Sequence, residues 1–232
     1  MRAFTALAAT LLLSLQPAAA WAAADDTAAG DAERIAGPLP RFFPRLDSYL
    51  ELPEDRRSHF RLAYVIGSDG GVSPDEIRMW YEHDGETRPF GIDETGRIAH
   101  LPGIEALAAE PDVWINQPDD GEARFSLTMQ FEYGRPLAER YAREDLERSI
   151  EQANQAIRQA AGVAALFAPS MKTVVFVFDG AAPEAWAIDD AGERSPLTVQ
   201  ENLAFFRPGD RSNRSVEQLE FGRAPQRVLL DS

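Results

Sequence analysis

The chain has 232 residues, 38 Asp and Glu against 23 Lys and Arg, no cysteine, and a formal net charge of −15. An acidic surface repels the phosphates of nucleic acids and anionic membranes, so neither is expected as a partner. Without cysteine there can be no disulfide, thiolate nucleophile, zinc–cysteine site, iron–sulfur cluster or lipidated cysteine, and stability must come from the core.

Residues 1–24 read as a secretory signal peptide. Arg2 opens the chain, and Ala3 to Leu15 is almost wholly apolar. Pro17 breaks the run, and small-residue sites follow at Ala18-Ala19-Ala20 and Ala22-Ala23-Ala24, before the first acid, Asp25. The apolar run is too short to cross a bilayer core about 30 Å thick as a helix. No later stretch is long and apolar enough either, so no membrane anchor is expected after cleavage. The working protein is expected to be periplasmic or secreted and to begin between Trp21 and Asp25.

Residues 25–40 are small, acidic and broken by Pro and Gly, which predicts a flexible leader. A β-rich lobe is expected over 41–135. Phe42, Phe43, Leu46, Tyr49 and Leu50 recur at helical spacing, and Pro53 followed by Glu54-Asp55 resembles a short helix start. From Phe60 the period changes to two: Phe60, Leu62, Tyr64 and Ile66 alternate along a strand. Ile77 to Tyr81 and Thr87 to Ile92 read as strands joined at Asp84-Gly85, with a further turn at Asp93-Glu94-Thr95-Gly96 before Ile98 to Leu101. Val113 to Ile115 is a short strand, and a turn is expected at Pro118-Asp119-Asp120-Gly121. Phe125, Leu127, Met129 and Phe131 then alternate with Ser126, Thr128 and Gln130. Strands at this spacing predict a small antiparallel sandwich or barrel.

Residues 136–232 are expected to hold one long amphipathic helix and a second sheet. The helix is predicted from Pro136, striped by Leu137, Tyr141, Leu146, Ile150, Ala153, Ile157 and Ala161, and ending at Gly162 or by Phe167. Thr173 to Phe178 is β-branched and apolar throughout, as a central strand buried on both faces should be. Shorter strands are expected at Ala185 to Ile188, Leu197 to Val199, Leu203 to Phe206, Val216 to Phe221 and Arg227 to Leu230. The fold class is thus α+β: an antiparallel β-rich N-terminal lobe, a long amphipathic helix and a second β-rich region. An internal echo links Phe90 to Gly96 with Trp186 to Gly192, which suggests either two related lobes or a repeated hairpin.

Little in the sequence points to catalysis. His59, His83 and His100 show no zinc-ligand spacing, and no G-x-S-x-G or phosphate-binding glycine motif occurs. The acid pairs Asp75-Glu76, Asp93-Glu94, Asp119-Asp120 and Asp189-Asp190 sit where turns are expected and match no calcium loop. Neither metal nor cofactor is therefore expected. Trp80, Tyr81, Trp114 and Trp186 lie on short strands, where exposed aromatic side chains can hold a peptide, a glycan or a protein. These observations predict a non-catalytic exported envelope protein that binds such a partner. The alternative is a periplasmic hydrolase whose site assembles only in space.

The Leu52-Pro53-Glu54 segment, Gly96-Arg97-Ile98 before Leu101-Pro102, and Arg223-Ala224-Pro225-Gln226-Arg227 resemble exported proteobacterial proteins of unknown function. The resemblance implies export and carries no catalytic residues with it.

Overall fold

The computed structural model describes residues 33–69, 71–117, 124–163 and 168–232. The expected signal peptide, the first part of the leader, the Pro118–Gly121 turn and the helix extension to Phe167 lie outside the described residues.

The fold is α+β and strand-rich, with three antiparallel sheets. The first sheet contains β1 (Arg34–Pro38), β3 (Met79–His83), β4 (Glu86–Pro89) and β5 (Asp112–Ile115), in the order β1-β5-β3-β4. The second contains β7 (Arg140–Ala142), β9 (Ala185–Asp189), β10 (Arg194–Pro196) and β13 (Val216–Phe221), in the order β10-β9-β13-β7. The third has six strands: β2 (Phe60–Ser68), β6 (Phe125–Tyr133), β8 (Thr173–Val177), β11 (Thr198–Gln200), β12 (Leu203–Phe206) and β14 (Arg227–Asp231). Its order is β11-β12-β8-β14-β6-β2. Three α-helices complete the described chain: α1 (Leu46–Leu50), α2 (Ile104–Ala109) and α3 (Arg143–Ala161). None of them is long and apolar enough to cross a membrane.

Alternation decides which face of the six-stranded sheet is buried. Phe60, Leu62, Tyr64, Ile66, Tyr133, Val174, Phe176, Ala204, Phe206, Val228 and Leu230 all point to one side and are buried. An aromatic chain ties that side to the first sheet: Phe43 meets Tyr64 and Phe90 at 5.1 Å each, and Phe90 meets Tyr81 at 5.4 Å. A second chain ties it to the second sheet, with Tyr141 5.1 Å from Phe176 and Phe176 4.5 Å from Phe221. All five residues of β8 are buried between β12 and β14, as its unbroken apolar sequence requires.

Several expectations need correction. The strands before residue 136 form no self-contained sandwich or barrel, because β2 and β6 hydrogen-bond into the same sheet as β8, β12 and β14. The expected division at residue 136 therefore does not separate two sheets, and residues 31–232 cluster as one unit. The described end of the expected leader is ordered: β1 pairs with β5, and Leu39 is fully buried, its N–H bonded to the Pro111 carbonyl at 2.8 Å.

The long helix starts at Arg143, not Pro136. Tyr141 instead sits in β7 opposite Leu219, where it covers the free edge of β13 and joins the aromatic core. The buried helix residues are Leu146, Ser149, Gln152 and Ala153, with Ile150 and Ile157 only half-buried. The α-helix proper ends at Ala161, with Gly162 as its C-cap.

The sequence echo corresponds to two copies of one turn. The Asp93 N–H bonds the Arg97 carbonyl at 3.0 Å, and the Asp189 N–H bonds that of Glu193 at 3.1 Å. Each aspartate carboxylate accepts backbone N–H bonds from the residues two and four further on. Across the hairpins, Ile92 faces Ile98 and Ile188 faces Arg194. The likeness ends there. β3, before the first turn, lies in the same sheet as its hairpin partner β4, whereas β8 and β9 lie in different sheets.

Candidate functional site

Pairing in the first sheet places four side chains in one row. Ile35 lies opposite Trp114, Trp114 opposite Trp80, and Trp80 opposite Pro89. Directly paired residues of antiparallel strands point to the same face. Met79, Tyr81, Val113 and Ile115 occupy the other face and are buried in the core, so the row points outward. Ile35 is 46% exposed, Pro89 is exposed, and both tryptophans are half-buried. Two residues along each strand the same face carries Asp112, Glu82 and Thr87, all exposed, and towards its other end lie Arg78 and Asn116. The Arg78 N–H donates to the Asn116 side-chain oxygen at 2.8 Å, which fixes that amide beside the tryptophans. The result is an apolar aromatic strip with hydrogen-bonding groups at both ends.

The four aromatic candidates thus part company. Trp80 and Trp114 stand side by side on adjacent strands. Tyr81 is 4% exposed and packs inward on Phe90, because strand alternation sends it to the opposite face from Trp80. Trp186 lies on the second sheet, between Pro196 and Glu220. Sequence reasoning missed Ile35 and Pro89. Ile35 is a lone apolar residue in a polar stretch, and only its pairing across to β5 gives it a role.

Two recesses adjoin the sheets. A shallow groove of about 400 Å³ runs along the β4 edge, lined by Tyr81, Thr87, Arg88, Pro89, His100 and Leu101. A smaller recess of about 160 Å³ opens on the less covered face of the six-stranded sheet, lined by Arg61, Asp93, Thr95, Arg97, Gln226 and Arg227. Beneath its wall lies Glu132, only 1% exposed, which accepts from Arg61 Nε at 2.9 Å and from Arg97 Nε and a terminal nitrogen at 3.2 and 2.9 Å.

One constellation bears on hydrolysis. The Ser58 hydroxyl lies 2.9 Å from His59 Nδ1, and His59 Nε2 lies 3.4 Å from the Asp145 carboxylate. The surrounding bonds give it another role. The Gln152 side chain, on α3, accepts from the His59 N–H at 2.9 Å and donates to the Asp55 carbonyl at 2.7 Å and to Ser58 Oγ at 3.1 Å. Ser58 Oγ itself lies 3.1 Å from the Asp55 carbonyl. These residues fasten α3 to the segment before β2, and neither recess reaches Ser58. Nearby, burial first, then the charge of Asp145, pushes the Tyr133 hydroxyl up to about 12, so it stays protonated at neutral pH.

Among the described residues no three His, Asp or Glu side chains converge as metal ligands. No protein-family model, curated protein or solved structure matches this chain.

Proposed function

We propose that this is an exported, non-catalytic binding protein that holds a neutral glycan on the outer face of its first sheet. The observation that carries this reading is the Ile35–Trp114–Trp80–Pro89 row. The apolar face of a sugar ring stacks on the outward part of a half-buried indole, and its hydroxyls need both acceptors and donors close by. Glu82, Asp112 and Thr87 supply these at one end and the Arg78 guanidinium at the other, while the Asn116 amide is engaged with the Arg78 N–H and the Glu76 carbonyl. Export is supported by the basic, apolar and small-residue pattern of the first 24 residues.

The test is tryptophan fluorescence and calorimetry with cellotetraose and the N-acetylglucosamine tetramer. Saturable binding is expected with at least one, weakened at least about tenfold in Trp80→Ala and in Trp114→Ala and unchanged in Trp186→Ala. Binding equally impaired by all three substitutions, or absent for both sugars, overturns the reading. A proline-rich peptide bound in place of the sugars would make the same strip a peptide site.

The hydrolase reading rests on the Ser58–His59–Asp145 alignment. It requires Ser58-dependent turnover of an activated ester such as p-nitrophenyl acetate. We expect the parent and Ser58→Ala proteins to show the same background rate.

A further inference from the structure

We infer that the recess between Arg61, Arg97 and Arg227 is a binding site for a single oxyanion, a carboxylate or phosphate group. It is independent of the aromatic strip. In a chain of net charge −15, this recess gathers three guanidinium groups against two carboxylates, Glu132 and Asp93. Both carboxylates are already engaged. Glu132 is held by Arg61 and Arg97, and Asp93 by the Thr95 hydroxyl and the N–H groups of Thr95 and Arg97.

The guanidinium groups are less fully used. Each carries five N–H donors. Arg61 gives Glu132 its Nε and Arg97 gives it two nitrogens, so Glu132 fixes both planes without exhausting them. Arg227 Nε is buried with no hydrogen-bond partner among the described residues. A buried donor left unmatched is costly, which leaves the Arg227 side chain, part of the recess lining, with hydrogen-bonding capacity unused. A forked guanidinium matches the two oxygens of a carboxylate or phosphate, and its charge strengthens each bond. Glu132 therefore serves as a positioning residue. It lies beneath the recess and orients Arg61 and Arg97 towards a visiting anion.

The test uses the full chain with sodium phosphate and sodium acetate, and with sodium chloride at matched ionic strength. The readouts are the melting temperature and the Arg227 Nε–H resonance. A saturable rise in melting temperature with phosphate or acetate, beyond that in chloride, is expected, with a shift of the Arg227 Nε–H signal. Arg227→Gln is expected to weaken binding about tenfold or more. Arg61→Gln leaves Glu132 paired with Arg97 and is expected to weaken binding too, so the inference survives should one variant fold poorly. Phosphate active without acetate marks a tetrahedral oxyanion site, and the reverse marks a carboxylate site. Equal effects of all three salts, or a rise that persists in both variants, overturns the inference.

Discussion

Gly96 and Gly192 occupy the same position of the same turn, at φ +79° and +81°, yet their surroundings differ. A Cβ on Gly96 would sit 2.1 Å from the Ile66 carbonyl oxygen, whereas one on Gly192 meets nothing within 4 Å. Gly96 is pressed against β2, whose Ile66 N–H it accepts at 2.7 Å. Gly192 needs only its backbone conformation.

The two alanine substitutions should therefore separate. Gly192→Ala should cost about 1 kcal/mol, the strain of a left-handed residue with a Cβ. Gly96→Ala adds a backbone clash that must push the 93–98 turn off β2, and should cost at least about 2 kcal/mol more. Urea melts of both variants check this. Equal costs would show that the turn does not rest on β2 as described.

The helix offers a second contrast. Leu146 is fully buried, while Ile150 is half-buried. Leu146→Ala should cost about 2–5 kcal/mol through lost burial and the cavity left behind. Ile150→Ala should cost clearly less. Glu147 is exposed and pairs with Arg143 at 2.8 Å, so Glu147→Ala should change stability by less than about 0.5 kcal/mol. Chemical denaturation ranks the three, and an Ile150 cost equal to that of Leu146 would put the buried stripe elsewhere.

How much was legible in the sequence depends on the range of the cause. The Asp84-Gly85 and Asp93–Gly96 turns were legible because positive φ is a local demand, met at Asp84, Gly85 and Gly96. The strand from Phe60 was legible from its period of two. The start of α3 was not, because residues 140–142 are helix-compatible and become strand only by pairing with β13. β1 was missed because only its pairing with β5 makes it a strand, and with it Ile35 at one end of the aromatic row. Alternation in β6 assigns Glu132 to the face of Gln130 and Thr128, away from Phe131. Its burial was hidden because Arg61 and Arg97, which cover it, come from distant segments.

Glu132 gives the third prediction. Glu132→Ala leaves Arg61 and Arg97 without their shared carboxylate. Arg61 is 43% exposed and can turn to solvent, but Arg97 is only 25% exposed and holds the 93–98 turn on β2. A loss of about 2–4 kcal/mol is expected in denaturant melts. Glu132→Gln keeps acceptor capacity on one oxygen and should lose less. A neutral Glu132→Ala would show that the two arginines do not depend on it.

The last prediction concerns Asp93 and pH. Partial burial acts to raise its carboxyl, but it is outweighed by the Thr95 hydroxyl bond, the N–H bonds from Arg97 and Thr95 and the Arg97 charge. The folded-state value is therefore below the ordinary one, so the ionised group favours the fold. That contribution should be fully present above about pH 4, the unfolded value, and disappear as pH falls through the lower folded value. Asp93→Asn keeps an acceptor oxygen but not the charge. The stability gap between parent and variant should be constant near neutral pH and close in acid, as urea melts across pH will show. Thr95→Ala removes the strongest of the lowering contacts, so carbon-detected NMR should find the Asp93 carboxyl titrating higher in that variant. An Asp93 value unmoved by Thr95→Ala would mean that the hydroxyl does not hold the carboxylate in the turn.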